Sequence, residues 1–323
     1  MKILIIGAAG MLGGQLIQEL VTRGKVNGLP ITKIIRHDVV LPPPPPHSQF
    51  PIETVMSDLS VDGQAVALIK TQPDIIFHLA AIVSGEAEAD FEKGYRINLD
   101  GTRHLLEAIR LQGGGYKPKL IFTSSIAVFG TPFPEAIDDD FLSAPLTSYG
   151  TQKAICELLI SDYSRRGIFD GIAMRMPTVC VRPGKPNKAA SGFFSNIIRE
   201  PLVGLEAVLP VDDSVRHWHA SPRAAIKMLI HGAELNTAKL GARRAISMPG
   251  ISCTVGEEIA ALTKVAGADV AKLIRREPDP IIQKIVSGWP QNFNTKRAIE
   301  MGFVADESFE DIIRIHIADQ LSK

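Results

Sequence analysis

Apolar strands alternating with amphipathic helices, a glycine triplet after the first strand, and small or polar residues at successive strand ends predict an α/β fold. Its core is a doubly wound parallel sheet, covered by helices on both faces. Lys2–Ile6 is a β-branched apolar run of strand length, and Gly7, Gly10 and Gly13 follow it at three-residue intervals. A helix opens behind them, with Leu12, Leu16 and Leu20 at four-residue spacing and Gly24 at its end. A missing Cβ at Gly7 permits a tight turn, and one at Gly10 lets a ligand approach the backbone. The helix start, from Met11, offers N–H groups and the positive end of its dipole, which suits a pyrophosphate. Strand, glycine turn and helix in this order are the signature of a Rossmann-type dinucleotide site.

The remaining elements follow the same rhythm. Ile31 to Val40 reads as the second strand, with Asp38 near its end. A carboxylate there accepts from both adenosine ribose hydroxyls and repels a 2′-phosphate, which favours NAD over NADP. Arg36 and His37 are basic groups at the same corner that could serve such a phosphate instead. Pro42 to Pro46 reads as a stiff polyproline II surface loop. Val55 to Leu59 is the third strand, placing Asp58 and Leu59 beside the adenine, and Gly63 to Lys70 is a helix. Ile75 to Ala81 is the fourth strand; Ala80 and Ala81 let a cofactor pass closely, while His78 reads as a packed, hydrogen-bonded core residue. Asn98 to Thr102 leads a helix through Leu105, Leu106 and Ile109, ended by Gly113 to Gly115. Leu120 to Phe122 is the fifth strand and runs into Thr123, Ser124 and Ser125. Gly7, Asp38, Asp58, Ala81 and Ser125 all fall at carboxyl ends, where sheets of this kind bind ligands.

Composition narrows the partner. The chain has 323 residues, and Lys+Arg and Asp+Glu balance at 35 each, so no global field draws nucleic acid or an anionic membrane. A small molecule recognised locally is expected. Cys156, Cys180 and Cys253 share no metal-ligand spacing and read as inert thiols of a reducing compartment, and no metal is expected. The first strand begins at residue 2 and no apolar run reaches membrane-spanning length, so a cytoplasmic protein is expected.

Tyr149 and Lys153 lie four apart at the start of a helix that continues through Ile155, Leu158 and Leu159. They share a helix face, so the ammonium can lie near the phenol and favour phenolate, a general base. Ser125 would donate a hydrogen bond to the reacting oxygen. Gly7-x-x-Gly10-x-x-Gly13, His78-Leu-Ala-Ala81, Asn98-x-x-Gly-Thr102, Thr123-Ser-Ser125 with Val128-Phe129-Gly130, and Tyr149-x-x-x-Lys153 resemble the motifs of the extended short-chain dehydrogenases/reductases. Met174–Thr178 and Asn294–Gly302 are similar to that family's later landmarks. Phe129 stands where the family often has tyrosine. The resemblance implies an NAD(P)-binding enzyme with catalytic Ser125, Tyr149 and Lys153. It adds Asn98, Tyr149, Lys153, Pro177 and Thr178 to the cofactor contacts, Lys153 at the ribose, and a homodimer by analogy.

Beyond Pro177 the strict alternation stops, and a smaller, mostly helical substrate-binding lobe is expected. Thr254 and Glu257 form a capping box for a helix through Leu262, and Glu310 to Leu321 is a final amphipathic helix. The expected division is 1–177 with 214–248 for the dinucleotide domain, and 178–213 with 249–323 for the lobe. Relatives acting on nucleotide sugars usually carry a Gly-x-Gly turn before Arg-Asp-Phe, where this chain has Val211 to His219. Arg216, with Arg182 or Arg199, could instead clamp a small carboxylate in a forked contact. His217 and His219 have no third ligand spaced with them and read as pocket or packing residues. Ala80–Glu88, Pro183–Asn187, Ser191–Ser195 and Arg216–Pro222 carry a narrower resemblance, to the D-erythronate dehydrogenase group of the branch. It implies NAD-dependent oxidation of the C2 hydroxyl of a small sugar acid to a 2-oxo acid, with Ser84, Ser125, Tyr149, Arg182, Asn196 and Arg216 around the substrate. The alternatives are a nucleotide-sugar epimerase or dehydratase that keeps its NAD, and a non-catalytic dinucleotide sensor.

Overall fold

The computed structural model describes residues 1–184 and 191–322. Two compact units divide the chain, the first comprising Met1–Val128, Thr147–Arg175 and Ile226–Ile246. At its centre are seven strands: β1 Lys2–Ile6, β2 Lys33–Asp38, β3 Ile52–Met56, β4 Ile75–His78, β5 Lys119–Ser125, β6 Asp170–Met176 and β7 Ala245–Ser247. They lie in the order β7-β6-β5-β4-β1-β2-β3, and β1 runs parallel to both β2 and β4, β2 to β3, and β4 to β5. The chain therefore winds outward from β1 one way and then, from β4, the other. That reversal opens a crevice at the carboxyl ends of β1 and β4. Helices α1 Met11–Arg23, α2 Gln64–Ile69, α3 Gly101–Gln112 and α4 Ser148–Arg165 supply the crossovers that parallel pairing requires. Because helices cover both faces, Ile3 to Ile6 are buried without alternation and read as one apolar run. Leu105, Leu106 and Ile109 of α3 join Leu4, Ile76, Phe122 and Ile160 in the core beneath the crevice.

Three strands stop earlier than the sequence suggests, and in each case a side chain replaces the ladder. β2 ends at Asp38, not Val40, where the Asp38 carboxylate accepts from the Val39 N–H at 2.8 Å. β3 ends at Met56, not Leu59, because Asp58 Oδ1 accepts from the Ser60 N–H (2.9 Å) and hydroxyl (2.6 Å) and turns the chain. β4 ends at His78, not Ala81. Beyond it Asn98 Oδ1 accepts from the Ile82 N–H at 2.9 Å, and its Nδ2 donates to the Ile82 carbonyl at 3.2 Å. Asn98 is presented by a π-helical turn, Tyr95–Asp100, that leads into α3.

The second unit comprises Phe129–Leu146, Met176–Ala225 and Ser247–Lys323. Three helices, α5 Gly192–Leu202, α6 Val255–Ala266 and α7 Phe309–His316, share a core with Phe194, Ile197, Leu262 and Ile312. Small sheets accompany them, so the unit is less purely helical than expected: Thr178–Val179, Arg216–Ala220 and Ile251–Thr254 form one, and Ala207–Leu209 with Ile274–Arg276 another. The capping box at α6 is present, the Glu257 N–H donating to Thr254 Oγ1 at 3.1 Å and the Thr254 N–H to the Glu257 carboxylate at 2.6 Å. The division of the chain differs from the expected one over two longer stretches, besides two-residue shifts at 176–177 and 247–248. Phe129–Leu146 lies in the second unit, where Phe129 packs on Phe293 and Ile137 bridges to Phe293. Residues 214–225 lie there too, because Arg216–Ala220 pairs with Ile251–Thr254 and Thr178–Val179.

His78 is a packed core residue, its Nε2 2.9 Å from Thr102 Oγ1. Burial pushes its imidazole down to about 3. The unfolded chain takes up that proton below about 6.5 while the folded one does not, so the group favours unfolding increasingly as pH falls from about 6.5 to about 3. Urea unfolding from pH 7 to pH 4 is expected to show a loss of up to ~1.4 kcal/mol per pH unit that a His78→Gln variant lacks.

Candidate active site

The glycine turn leaves no room for side chains. Gly7 has φ +91°, and a Cβ on it would sit 2.7 Å from the Ala80 nitrogen; one on Gly13 would sit 2.2 Å from the Gly7 carbonyl oxygen. Gly10 is the N-cap of α1 and supplies no side-chain cap to the helix's first turn, which begins at Met11. That is a backbone cradle fitted to a pyrophosphate. Neighbouring β2 holds the turn in place: the His37 carbonyl accepts from the Gly7 (2.9 Å) and Ala8 (3.1 Å) amides. Asp38 accepts from the Ala9 N–H on one oxygen and the Val39 N–H on the other, both at 2.8 Å. A fixed carboxylate thus stands where the adenosine ribose of NAD belongs.

The basic groups at that corner are engaged elsewhere. Arg36 is 5 % exposed and donates to the Pro43 carbonyl (2.6 Å) and Thr54 Oγ1 (2.5 Å), tying the proline run to the sheet. His37 Nε2 lies 2.9 Å from Ser57 Oγ. Neither is arranged for a 2′-phosphate, so the residues present fit NAD. Asp58, past the end of β3, also pairs with Arg96 at 2.9 Å, and Leu59 beside it is buried. Ala80 and Ala81 line the loop after β4, and Ser84 begins the short helix Ser84–Ala89. Asn98, expected at the cofactor, spends its amide on Ile82 and on Gln152 Oε1 (2.8 Å), so in this structure it shapes the loop.

Tyr149 and Lys153 stand in the opening turns of α4, whose N-cap Thr147 accepts from the Gly150 N–H at 3.1 Å. Lys153 is 2 % exposed; its Nζ donates to the Thr123 carbonyl at 2.7 Å and lies 4.5 Å from the Phe122 ring centre and 5.7 Å from that of Tyr149. Burial lowers its ammonium to about 8 against the raising effect of Cys156 and Glu157. Ser125 ends β5, its Oγ accepting from the Ala127 N–H at 3.1 Å. Tyrosine, lysine and serine therefore all lie in the first unit, on β5 and the helix packed against it. Four of their supports escaped the sequence reading: Ser124, Gln152, Glu157 and Arg175. The available signal was Glu157, four residues after Lys153 on the same face.

In the second unit the polar tract forms an internal web. Arg182 donates to the Val179 carbonyl and Ser191 Oγ, both at 3.0 Å; Arg199 donates to the Arg182 carbonyl (2.7 Å), Asn196 Oδ1 (2.8 Å) and Glu200 (2.5 Å). Lys185, Pro186 and Asn187 of the Pro183–Asn187 stretch lie outside the described residues. Thr178, after Pro177, meets His217 Nε2 at 2.7 Å. Arg216 pairs with Glu257 at 3.1 Å and donates to the Ser252 carbonyl at 3.1 Å. It lines a pocket of about 680 Å³ with Glu135, Ser252, Gln291 and Asn292 among others. Pairing of Arg216–Ala220 with Ile251–Thr254 also brings Cys253 and Glu258 to His219, ligand atoms within 4.8 Å, an arrangement that chain spacing did not reveal. Burial pushes His219 down to about 3, Glu258 well up and the Cys253 thiol up, so it disfavours the charged form of each.

Two outcomes test the cradle. Gly13→Ala is expected to weaken NAD binding on the order of tenfold or more in a fluorescence titration, because its Cβ displaces the Gly7 carbonyl. Asp38→Ala is expected to narrow the preference for NAD over NADP, read as the ratio of the two kcat/KM values.

Residues 3–219 match the NAD dependent epimerase/dehydratase family. The D-erythronate dehydrogenase of Cupriavidus necator is 46% identical over 323 residues, covering 99% of this chain and 98% of that protein. The D-erythronate dehydrogenase of Haemophilus influenzae is 42% identical over 314 residues, covering 97% and 98%. A solved structure described as the nucleoside-diphosphate-sugar epimerase from Agrobacterium tumefaciens shares 61% identity at a TM-score of 0.97, covering 100% of this chain and 95% of that one. No described helix is long and apolar enough to cross a membrane. With the glycine cradle, the fixed Asp38 and the buried Lys153 beside Tyr149, these likenesses place the chain in the NAD-dependent epimerase/dehydratase family, the extended branch of the short-chain dehydrogenases/reductases, as an NAD-dependent dehydrogenase.

Proposed function

We propose that the protein oxidises the C2 hydroxyl of a small sugar acid of the D-erythronate type to the 2-oxo acid, using Tyr149, Lys153 and Ser125. The observation that carries this reading is the buried Lys153 ammonium, held against the Thr123 carbonyl and beside the Tyr149 ring. The names of the two curated relatives supply the substrate class. NAD, when bound, supplies the hydride acceptor. Tyr149 takes the hydroxyl proton of the substrate, and the positive charge of Lys153 favours the phenolate that makes it a base. Ser125 Oγ donates to the reacting oxygen and keeps it on Tyr149. Gly7, Gly10 and Gly13 hold the pyrophosphate and Asp38 the adenosine ribose. Arg216, at its polar pocket, is the carboxylate contact of the proposal. The expected cytoplasmic location and homodimer belong to the same proposal.

A second reading comes from the name of the Agrobacterium tumefaciens structure, an epimerase of nucleoside-diphosphate sugars. The two differ in bookkeeping of the cofactor. Net NADH formation, followed by near-ultraviolet absorbance across a panel of four- to six-carbon aldonic acids, supports the dehydrogenase. Turnover of a nucleotide sugar without added NAD and without net NADH supports the epimerase. With the best acid, Tyr149→Phe is expected to lower kcat by about 10²–10⁴-fold while the protein still binds NAD; an unchanged kcat rejects Tyr149 as the base.

A further inference from the structure

We infer that Glu157 and Arg175 are positioning residues for the proposed reaction, a buried charge pair that keeps Lys153 protonated and locks the strand end carrying Ser125 to α4. The inference rests on the roles proposed above for Tyr149, Lys153 and Ser125.

Glu157 and Arg175 are 4 % and 6 % exposed. Arg175, on β6, reaches the carboxylate with Nε at 3.0 Å from Oε1 and Nη2 at 2.9 Å from Oε2, a forked contact. The Ser124 hydroxyl donates to Glu157 Oε1 at 2.5 Å. Tyr149, Lys153 and Glu157 follow one another at four-residue spacing on α4. Lys153 therefore grips the Thr123 carbonyl and Glu157 the Ser124 hydroxyl, two successive residues of β5 held from one helix face. Ser125 is the next residue, so its position relative to Tyr149 is set by this double clamp.

The charge has a second effect. An ammonium out of water reverts to amine unless something offsets its desolvation. The groups facing Lys153 are His78 from β4, uncharged because burial pushes it down to about 3, the Phe122 ring and Thr123 carbonyl from β5, and Tyr149, Cys156 and Glu157 from α4 itself. Burial pushes the Cys156 thiol up to about 11, so near neutral pH the carboxylate of Glu157 is the formal negative charge in that set. Glu157 raises Lys153 and Arg175 in turn keeps Glu157 paired. A buried ion pair is a poor stabiliser compared with apolar residues of the same volume, so its place here points to a task other than stability.

The test uses three variants and two readouts. In cofactor-free protein labelled with ¹³C-lysine, the Lys153 resonance is identified by its loss in Lys153→Met. It is expected to titrate near 8 in the parent protein. Glu157→Gln is expected to move that titration to lower pH by on the order of one unit and to carry the alkaline limb of the kcat–pH profile with it. Glu157→Asp, which keeps the charge, is expected to hold both near their parent positions. If Glu157→Gln fails to fold because Arg175 is stranded, the double variant Glu157→Leu with Arg175→Leu removes both charges and is expected to show the same acid-ward shift. A folded Glu157→Gln or double variant whose Lys153 titration and kcat profile stay at their parent positions overturns the inference. If Lys153→Met leaves turnover unchanged, the catalytic reading itself fails; if it abolishes turnover while the Glu157 variants leave both readouts unmoved, only the role of the pair is rejected.

Discussion

Burial of the polar face of α4 is the constraint on which this site depends. Gln152, Lys153 and Glu157 are each at most 4 % exposed, and a buried polar group without a partner costs more than the hydrogen bond it forgoes. Each has drawn a specific partner: Asn98 for Gln152 Oε1 (its Nε2 is buried without one among the described residues), the Thr123 carbonyl for Lys153, Arg175 and Ser124 for Glu157. Those partners come from the turn before α3, from β5 and from β6. Satisfying one helix face thus ties the loop after β4 and the end of β5 to the helix that carries Tyr149. The same demand for satisfaction that holds the helix down also gathers the residues to which the proposed chemistry is assigned.

The cofactor cradle obeys a different physics, that of crowding. Gly7, Gly13 and the start of the loop at Ala80 approach so closely that only hydrogen fits. The resulting bare backbone fits a pyrophosphate, and the Asp38 contact with Ala9 ties the carboxylate of the proposed ribose contact to the glycine turn. Cofactor selection is accordingly a property of the turn and β2 as one body. Arg36, which carries the charge to compete, is removed from that decision by the proline run it anchors.

Most of the first unit was legible in the chain because its signals are local. Glycine spacing, the Asp38 strand end, the run into Ser125 and the Tyr149–Lys153 pair each sit within one element and its neighbour. Boundaries were less legible where side chains replace backbone partners. Asp58 shortens β3 through Ser60, and Asn98, sixteen residues beyond the Ile82 it bonds, takes over the backbone after β4 ends. Arg175 lies in the landmark Met174–Thr178, but nothing local named its partner, which sits on another element and meets it only when the elements pack.

By itself the sequence determined the doubly wound sheet, the glycine turn, the preference for NAD and the residues of the proposed trio, because these follow from periodicity and from residue types at fixed short spacings. Tertiary structure decided which polar groups are free and which are spent. It gave Asn98 to the loop, Arg36 to the proline run, Arg199 to the Arg182 carbonyl, and it brought Cys253 and Glu258 to His219 through an antiparallel pairing. It also moved Phe129–Leu146 into the second unit through aromatic packing on Phe293. Spacing along a chain states what a residue can reach within its own helix or strand. Burial and long-range pairing state what it must reach, and that is settled only when the elements have packed.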